Sequence, residues 1–175
     1  MNYLQSFTGR FEGAFIDKTP GNSIFGGLIK AAVPGARMVC LRRNPMDSCY
    51  AMYKMLFWGA YPFSNDLAEL ADYYVEWDRL IRTWEKDLGD AWLTVNYEDI
   101  VRDPEPAMRR IIAHCRLPWD EACLRFHELN APVTSASAGQ VTRPLHAESI
   151  GLWRNYSTEL TELADRLRNA GIAVD

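Results

Sequence analysis

The run Met38-Val39-Cys40-Leu41 carries no polar residue, and Arg42, Arg43, Asn44 and Pro45 follow it at once. A short apolar run without alternation is the pattern of a strand covered on both faces, as strands of parallel sheets are. Asn44 is placed to cap a helix whose first position is Pro45, a residue with no N–H to leave unpaired, and the helix runs through Tyr53 and Leu56 towards Gly59. The order strand, two arginines, helix therefore puts two cations where a parallel strand ends. Ligands of open α/β sheets bind at that end.

The rest of the chain repeats this alternation. Leu67, Leu70, Tyr74, Trp77, Ile81, Trp84 and Leu88 step by threes and fours, giving one apolar helix face that starts at the cap Asp66 and stops at Gly89. Trp92 to Val95 reads as a second buried strand, followed by Asn96-Tyr97-Glu98-Asp99 and a helix opening at Asp103-Pro104, with Met108, Ile111, Ile112 and Cys115 facing inward. Gly13 to Asp17 is short and apolar enough for a third strand, ending in the turn Lys18-Thr19-Pro20-Gly21-Asn22. Ile24, Leu28 and Ala31 predict a helix from Ser23 to Pro34; Trp119 to Leu129 predicts another; Trp153, Tyr156, Leu160, Leu163 and Leu167 predict a last one ending at Gly171. Between them, residues 130–148 form a long polar stretch, a type of loop that is often functional. The expected architecture is α/β, a small parallel sheet flanked by many helices in one domain over residues 1–175.

Composition removes several classes of function. With 48% hydrophobic and 12% aromatic residues the chain is not disordered, and a net charge of −4 leaves no general basic footprint for nucleic acid. Cysteines 40, 49, 115 and 123 include no C-x-x-C pair, and the apolar runs are too short to span a membrane, so a soluble, cytoplasmic protein in a reducing compartment is expected. Any bound anion must be held locally. Arg43, beside a helix N-terminus with unpaired N–H groups, is the strongest candidate for phosphate or sulfate. The competing reading pairs Arg42 and Arg43 with Asp47 or Glu98 on the surface. Lys18, after the first strand, is a second candidate cation. His114 and His127 lack metal-ligand spacing, His146 sits in the long loop, and Ser135 and Ser137 have no His–Asp partners in a hydrolase pattern.

Phe15-Ile16-Asp17-Lys18-Thr19-Pro20-Gly21-Asn22, Pro34-Gly35-Ala36-Arg37-Met38-Val39 and Arg43-Asn44-Pro45-Met46-Asp47 resemble, in order and spacing, the bacterial sulfotransferases related to tyrosylprotein sulfotransferases. Tyr97-Glu98-Asp99-Ile100-Val101 with Asp103-Pro104, and Gln140-Val141-Thr142-Arg143-Pro144 with Trp153, extend the resemblance over nearly the whole chain. The resemblance implies a P-loop-NTPase-like fold that uses 3'-phosphoadenylyl sulfate (PAPS) as co-substrate, releases adenosine 3',5'-bisphosphate and needs no metal. By the same resemblance Arg43 holds the 3'-phosphate, Lys18 lies by the transferring sulfuryl group, Arg143 approaches the nucleotide, and Ser137 shares its environment. Sulfuryl transfer resembles phosphoryl transfer, where catalysis is mostly positioning and electrostatic stabilisation.

Two positions depart from the family pattern. Ala51 stands where the family places a serine, eight residues after the arginine, and Ser48, one turn earlier, is the substitute. The glycine-bearing loop that cradles the 5'-phosphosulfate has no counterpart before Gly13, so the chain reads as a sulfotransferase lacking that N-terminal part and the acidic base carried with it. Two functions stay open: sulfuryl transfer to a hydroxyl or amine acceptor, and a catalytically inert fragment serving as a nucleotide-binding or protein-association module. A third reading, a kinase or other nucleotide-binding protein, lacks its Walker lysine pattern. An open sheet edge would favour pairing with a second copy, a homodimer; neither nucleic acid nor membrane is an expected partner.

Overall fold

The computed structural model describes residues 14–128 and 144–175. A 3-10 segment, Pro20–Phe25, leads into α1 (Gly26–Ala32); β1 (Met38–Arg42) and α2 (Pro45–Tyr53) follow. A 3-10 turn at Pro62–Asn65 precedes the long α3 (Leu67–Leu88), then come β2 (Trp92–Asn96), α4 (Tyr97–Arg102) and α5 (Pro104–His114). A 3-10 turn (Gly89–Ala91) links α3 to β2, and a 3-10 segment (Glu121–Glu128), another (Leu152–Tyr156) and α6 (Thr161–Asn169) complete the described elements.

Strands β1 and β2 pair in parallel, from Met38 opposite Trp92 to Arg42 opposite Asn96. Side chains alternate across this ribbon, so its two faces acquire different covers. Cys40 and Trp92 pack with Ile81 of α3, with Met38, Trp77, Trp84 and Leu88 around them. On the other face Val39, Leu93 and Val95 meet Ile100, Ala107 and Ile111 of α4 and α5. A third and larger cluster joins Met46 and Cys49 of α2, Leu70, Ala71 and Tyr74 of α3, Trp153, and Leu163, Ala164 and Leu167 of α6. Helix α3 thus touches both the sheet and the C-terminal helix. Its start is fixed by Asp66, whose Oδ1 accepts the N–H groups of Ala68 at 2.8 Å and Glu69 at 2.9 Å.

Helix α1 is held by tryptophans. Trp84 Nε1 donates to the Ser23 carbonyl at 2.9 Å and Trp77 Nε1 to the Ser23 hydroxyl at 3.2 Å. A Cβ added to Gly26 would stand 3.0 Å from the Trp92 ring, and one on Gly27 would stand 3.1 Å from Trp84, so both glycines permit close approach.

Several expectations are corrected. Residues 14–17 form no strand, and Ile16 is 89% exposed; among the described residues only β1 and β2 pair, and an apolar segment without a ladder partner does not become a strand. Strand β1 is covered on both faces as expected at Val39 and Cys40, but the cover stops short of Leu41, which is 56% exposed. Helix α2 ends at Tyr53 rather than near Gly59, since Trp58 (φ 51°) and Gly59 (φ 83°) adopt left-handed backbone that a helix cannot contain. The helix predicted over 119–129 is a 3-10 segment broken at Arg125 (φ −117°, ψ 30°). The last predicted helix is split between Leu152–Tyr156 and α6, and Gly171 (φ 79°) follows it as expected.

Ile81, fully buried between α3 and both strands, ties the ribbon to its cover. Replacing it by alanine should cost about 2–5 kcal/mol in urea unfolding. Leu28→Ala, on the exposed side of α1, should stay within about 0.5 kcal/mol of the parent.

Candidate functional site

Because the two strands pair in register and both turn into helices after Arg42 and Asn96, the residues that follow them are brought together. Arg43 and Asn44 meet Tyr97 and Glu98. The Arg43 guanidinium lies 5.3 Å from the centre of the Tyr97 ring, a cation–π contact. Asn44 donates its backbone N–H to Glu98 Oε1 at 2.8 Å, and its own Oδ1 accepts the Asp47 N–H at 3.2 Å, the cap expected from the sequence. A concave space of about 500 Å³ opens here, walled by residues 42–45, Asn96, Glu98, Ala173 and Asp175.

The two adjacent arginines have different fates. Arg42 forms an ion pair with Asp78 of α3, which is 4% exposed and also accepts from Arg82 Nε at 2.7 Å. Its charge is thereby used in clamping β1 to α3. Arg43 donates through Nη2 to the Ser149 carbonyl, while its Nε is buried without a hydrogen-bond partner. Among the described residues no carboxylate pairs with it. The alternative expectation, pairing of both arginines with Asp47 or Glu98, is therefore incorrect: Asp78 takes Arg42, Glu98 takes the Asn44 N–H, and Asp47 faces the C-terminal segment. An unpaired buried N–H costs about 1–3 kcal/mol. Arg43 lines the adjacent space, where its guanidinium charge, unpaired with any described carboxylate, suits a phosphate-like anion.

Sequence reasoning missed the residues that join this site to the C-terminal segment. Asp47, 1% exposed, accepts the Gly151 N–H at 2.6 Å on Oδ2 and the Trp153 N–H at 3.3 Å on Oδ1. The Tyr97 and Ser149 hydroxyls lie 3.2 Å apart. An acid between the apolar Met46 and Cys49 on the buried side of a helix was a readable signal for Asp47. Nothing in the local sequence marks Ser149.

Of the other expected site residues, Ser48 lies half-buried in α2, in the turn that follows Arg43. Lys18 is exposed in the segment before Pro20 and does not line the concave space. Ser137 and Arg143 lie outside the described residues. His146 Nδ1 lies 3.7 Å from Glu148. His114 packs its Nε2 against the Met38 carbonyl at 3.1 Å, and burial together with Arg37 holds it below the usual histidine range, which suits a structural imidazole. Burial pushes the thiols up, Cys40 to about 11 and Cys49 to about 12, so both remain protonated at neutral pH. No group of three or more His, Cys, Asp or Glu able to hold a metal occurs among the described residues. None of the described helices is long and apolar enough to cross a membrane.

Comparison with known proteins identifies the family of the chain. The model of the sulfotransferase family matches residues 2–121, and the chain belongs to that family. It is 30% identical over 130 residues to protein-tyrosine sulfotransferase 1 of Danio rerio, covering 69% of this chain and 36% of that protein. It is 29% identical over 99 residues to a protein-tyrosine sulfotransferase of Drosophila melanogaster, covering 50% and 20% respectively. An uncharacterized protein of Aquifex aeolicus is 28% identical over 156 residues, 87% of this chain and 20% of that protein. The chain thus spans between 20% and 36% of the length of these curated relatives.

Thiol chemistry tests the burial described above. A disulfide reagent such as DTNB should leave Cys40 and Cys49 unmodified in the folded chain and reach all four cysteines after unfolding in guanidinium. Early modification of Cys40 or Cys49, mapped by mass spectrometry, would contradict the packing.

Proposed function

We propose that this chain binds PAPS through Arg43 and takes part in transferring its sulfuryl group to a hydroxyl or amine acceptor. The observation that carries the reading is the Arg43 guanidinium: a cation without a carboxylate partner, with a buried Nε lacking an acceptor, beside a concave space at the carboxyl ends of two parallel strands. Membership of the sulfotransferase family supplies the chemistry that such a cation serves.

In this reading Arg43 binds the 3'-phosphate of the nucleotide. Its planar fork suits a phosphate better than an ammonium would, and one charge-assisted hydrogen bond contributes about 1.5–3 kcal/mol. The Ser149 carbonyl and the Tyr97 ring orient the guanidinium, so little side-chain freedom remains to be lost when the ligand arrives. Ser48, near the start of α2, offers a hydroxyl five residues after Arg43. Lys18, Ser137 and Arg143 are assigned to the nucleotide and sulfuryl side by family resemblance. PAPS, when bound, supplies an activated sulfuryl group that needs no metal for its activation; the chain's own residues supply charge and orientation.

Adenosine 3',5'-bisphosphate binding measured by calorimetry tests this. The parent chain should bind, and Arg43→Ala should weaken binding by about 10- to 100-fold at unchanged circular dichroism. A folded parent chain that does not bind the bisphosphate would remove the nucleotide assignment. Transfer of labelled sulfate from PAPS to a panel of hydroxyl and amine acceptors, tyrosine peptides included, separates an enzyme from a nucleotide-binding module.

A further inference from the structure

Asp47 is a buried carboxylate in the first turn of α2, and no cation pairs with it among the described residues. Its compensation comes from two backbone N–H groups, those of Gly151 and Trp153. Burying an unpaired charge is costly, and a helix with apolar neighbours such as Met46 and Cys49 would pack at least as well with an apolar side chain there. What the carboxylate achieves is a fixed position for residues 149–153.

That segment in turn reaches the candidate anion site. Ser149 presents its carbonyl to Arg43 Nη2 and its hydroxyl to Tyr97, whose ring lies against the same guanidinium. Gly151 takes left-handed backbone (φ 73°), which a residue with a side chain rarely adopts, so the turn of this segment depends on glycine. Arg43 directly precedes Asn44, the cap of α2, and Asp47 lies in the first turn of that helix, so the arginine and the anchor of its carbonyl partner are only four residues apart.

We propose that Asp47 is a positioning residue for nucleotide binding: by holding Gly151 and Trp153 it sets the Ser149 carbonyl against Arg43 and aims the guanidinium at the concave space. The inference rests on the reading of Arg43 as the 3'-phosphate ligand. Asp47 itself touches no ligand. Its effect on affinity passes through Arg43, which separates this role from a purely structural one.

The test is a double-mutant cycle on the full chain, read as adenosine 3',5'-bisphosphate affinity by calorimetry. Asp47→Asn should lower affinity about tenfold in the parent, with circular dichroism unchanged. The same change in an Arg43→Lys background should cost about twofold or less, because a lysine lacks the fork that the Ser149 carbonyl orients. Equal losses in both backgrounds, or parent-like affinity in Asp47→Asn, would overturn the inference. Should Asp47→Asn fail to fold, Gly151→Ala displaces the same segment with the carboxylate intact; a few-fold loss that depends on Arg43 is expected, and parent-like affinity in folded Gly151→Ala counts against the role. A parent chain without bisphosphate affinity defeats this inference together with the function on which it rests. Affinity lost in Arg43→Ala but kept in Asp47→Asn defeats this one alone.

Discussion

The in-register parallel pairing of Met38–Arg42 with Trp92–Asn96 is the constraint on which the site depends. Both strands stop at the same level and both lead into helices, so residues about fifty positions apart in sequence are forced into contact. A slip of one residue would turn Cys40 away from Ile81 and point Val39 at α3, exchanging the faces that two different covers require. The hydrophobic packing therefore fixes the register, and the register fixes where Arg43, Asn44, Tyr97 and Glu98 meet. The grouping of residues at this end is a consequence of packing on the two faces.

Around that junction the buried polar groups divide the work. Asp78 pairs with both Arg42 and Arg82 and fastens β1 to α3. Glu98 satisfies the Asn44 N–H, and Asn44 in turn caps α2. Asp47 fastens the C-terminal segment to α2. Three carboxylates thus each have a structural assignment, and none is spent on Arg43. A cation that none of these three acids neutralises suits an anionic ligand. The helix N-terminus itself is less open than its sequence suggests, because Glu98 already occupies the Asn44 N–H.

Much of this was legible from the residues. The unbroken run 38–41 with Asn44 and Pro45 after it gave strand, cap and helix, and the three-four stepping from Leu67 to Leu88 gave α3 with both its ends. Such features are local, resting on dihedral preference and one-sided burial. What failed was non-local. Gly13 to Asp17 has strand composition, yet strand formation depends on a partner that composition cannot specify. The pairing of Arg42 with Asp78 spans an unpredictable helix-to-strand contact. Ser149 enters the site through its backbone carbonyl, which any residue carries, and so leaves no trace in side-chain identity. Asp47 was visible as an acid on an apolar face, but its partners, two N–H groups more than a hundred residues away, were not.

The central claim is that the unsatisfied Arg43 guanidinium meets the 3'-phosphate of an adenine nucleotide. Its most direct test is the ¹H–¹⁵N resonance of Arg43 Nε, assigned by substitution and followed during titration. Adenosine 3',5'-bisphosphate should shift that resonance in a saturable manner, and adenosine 5'-monophosphate, which lacks the 3'-phosphate, should leave it nearly in place. Saturating bisphosphate binding with an unmoved Arg43 resonance, or equal shifts from both nucleotides, would contradict the account.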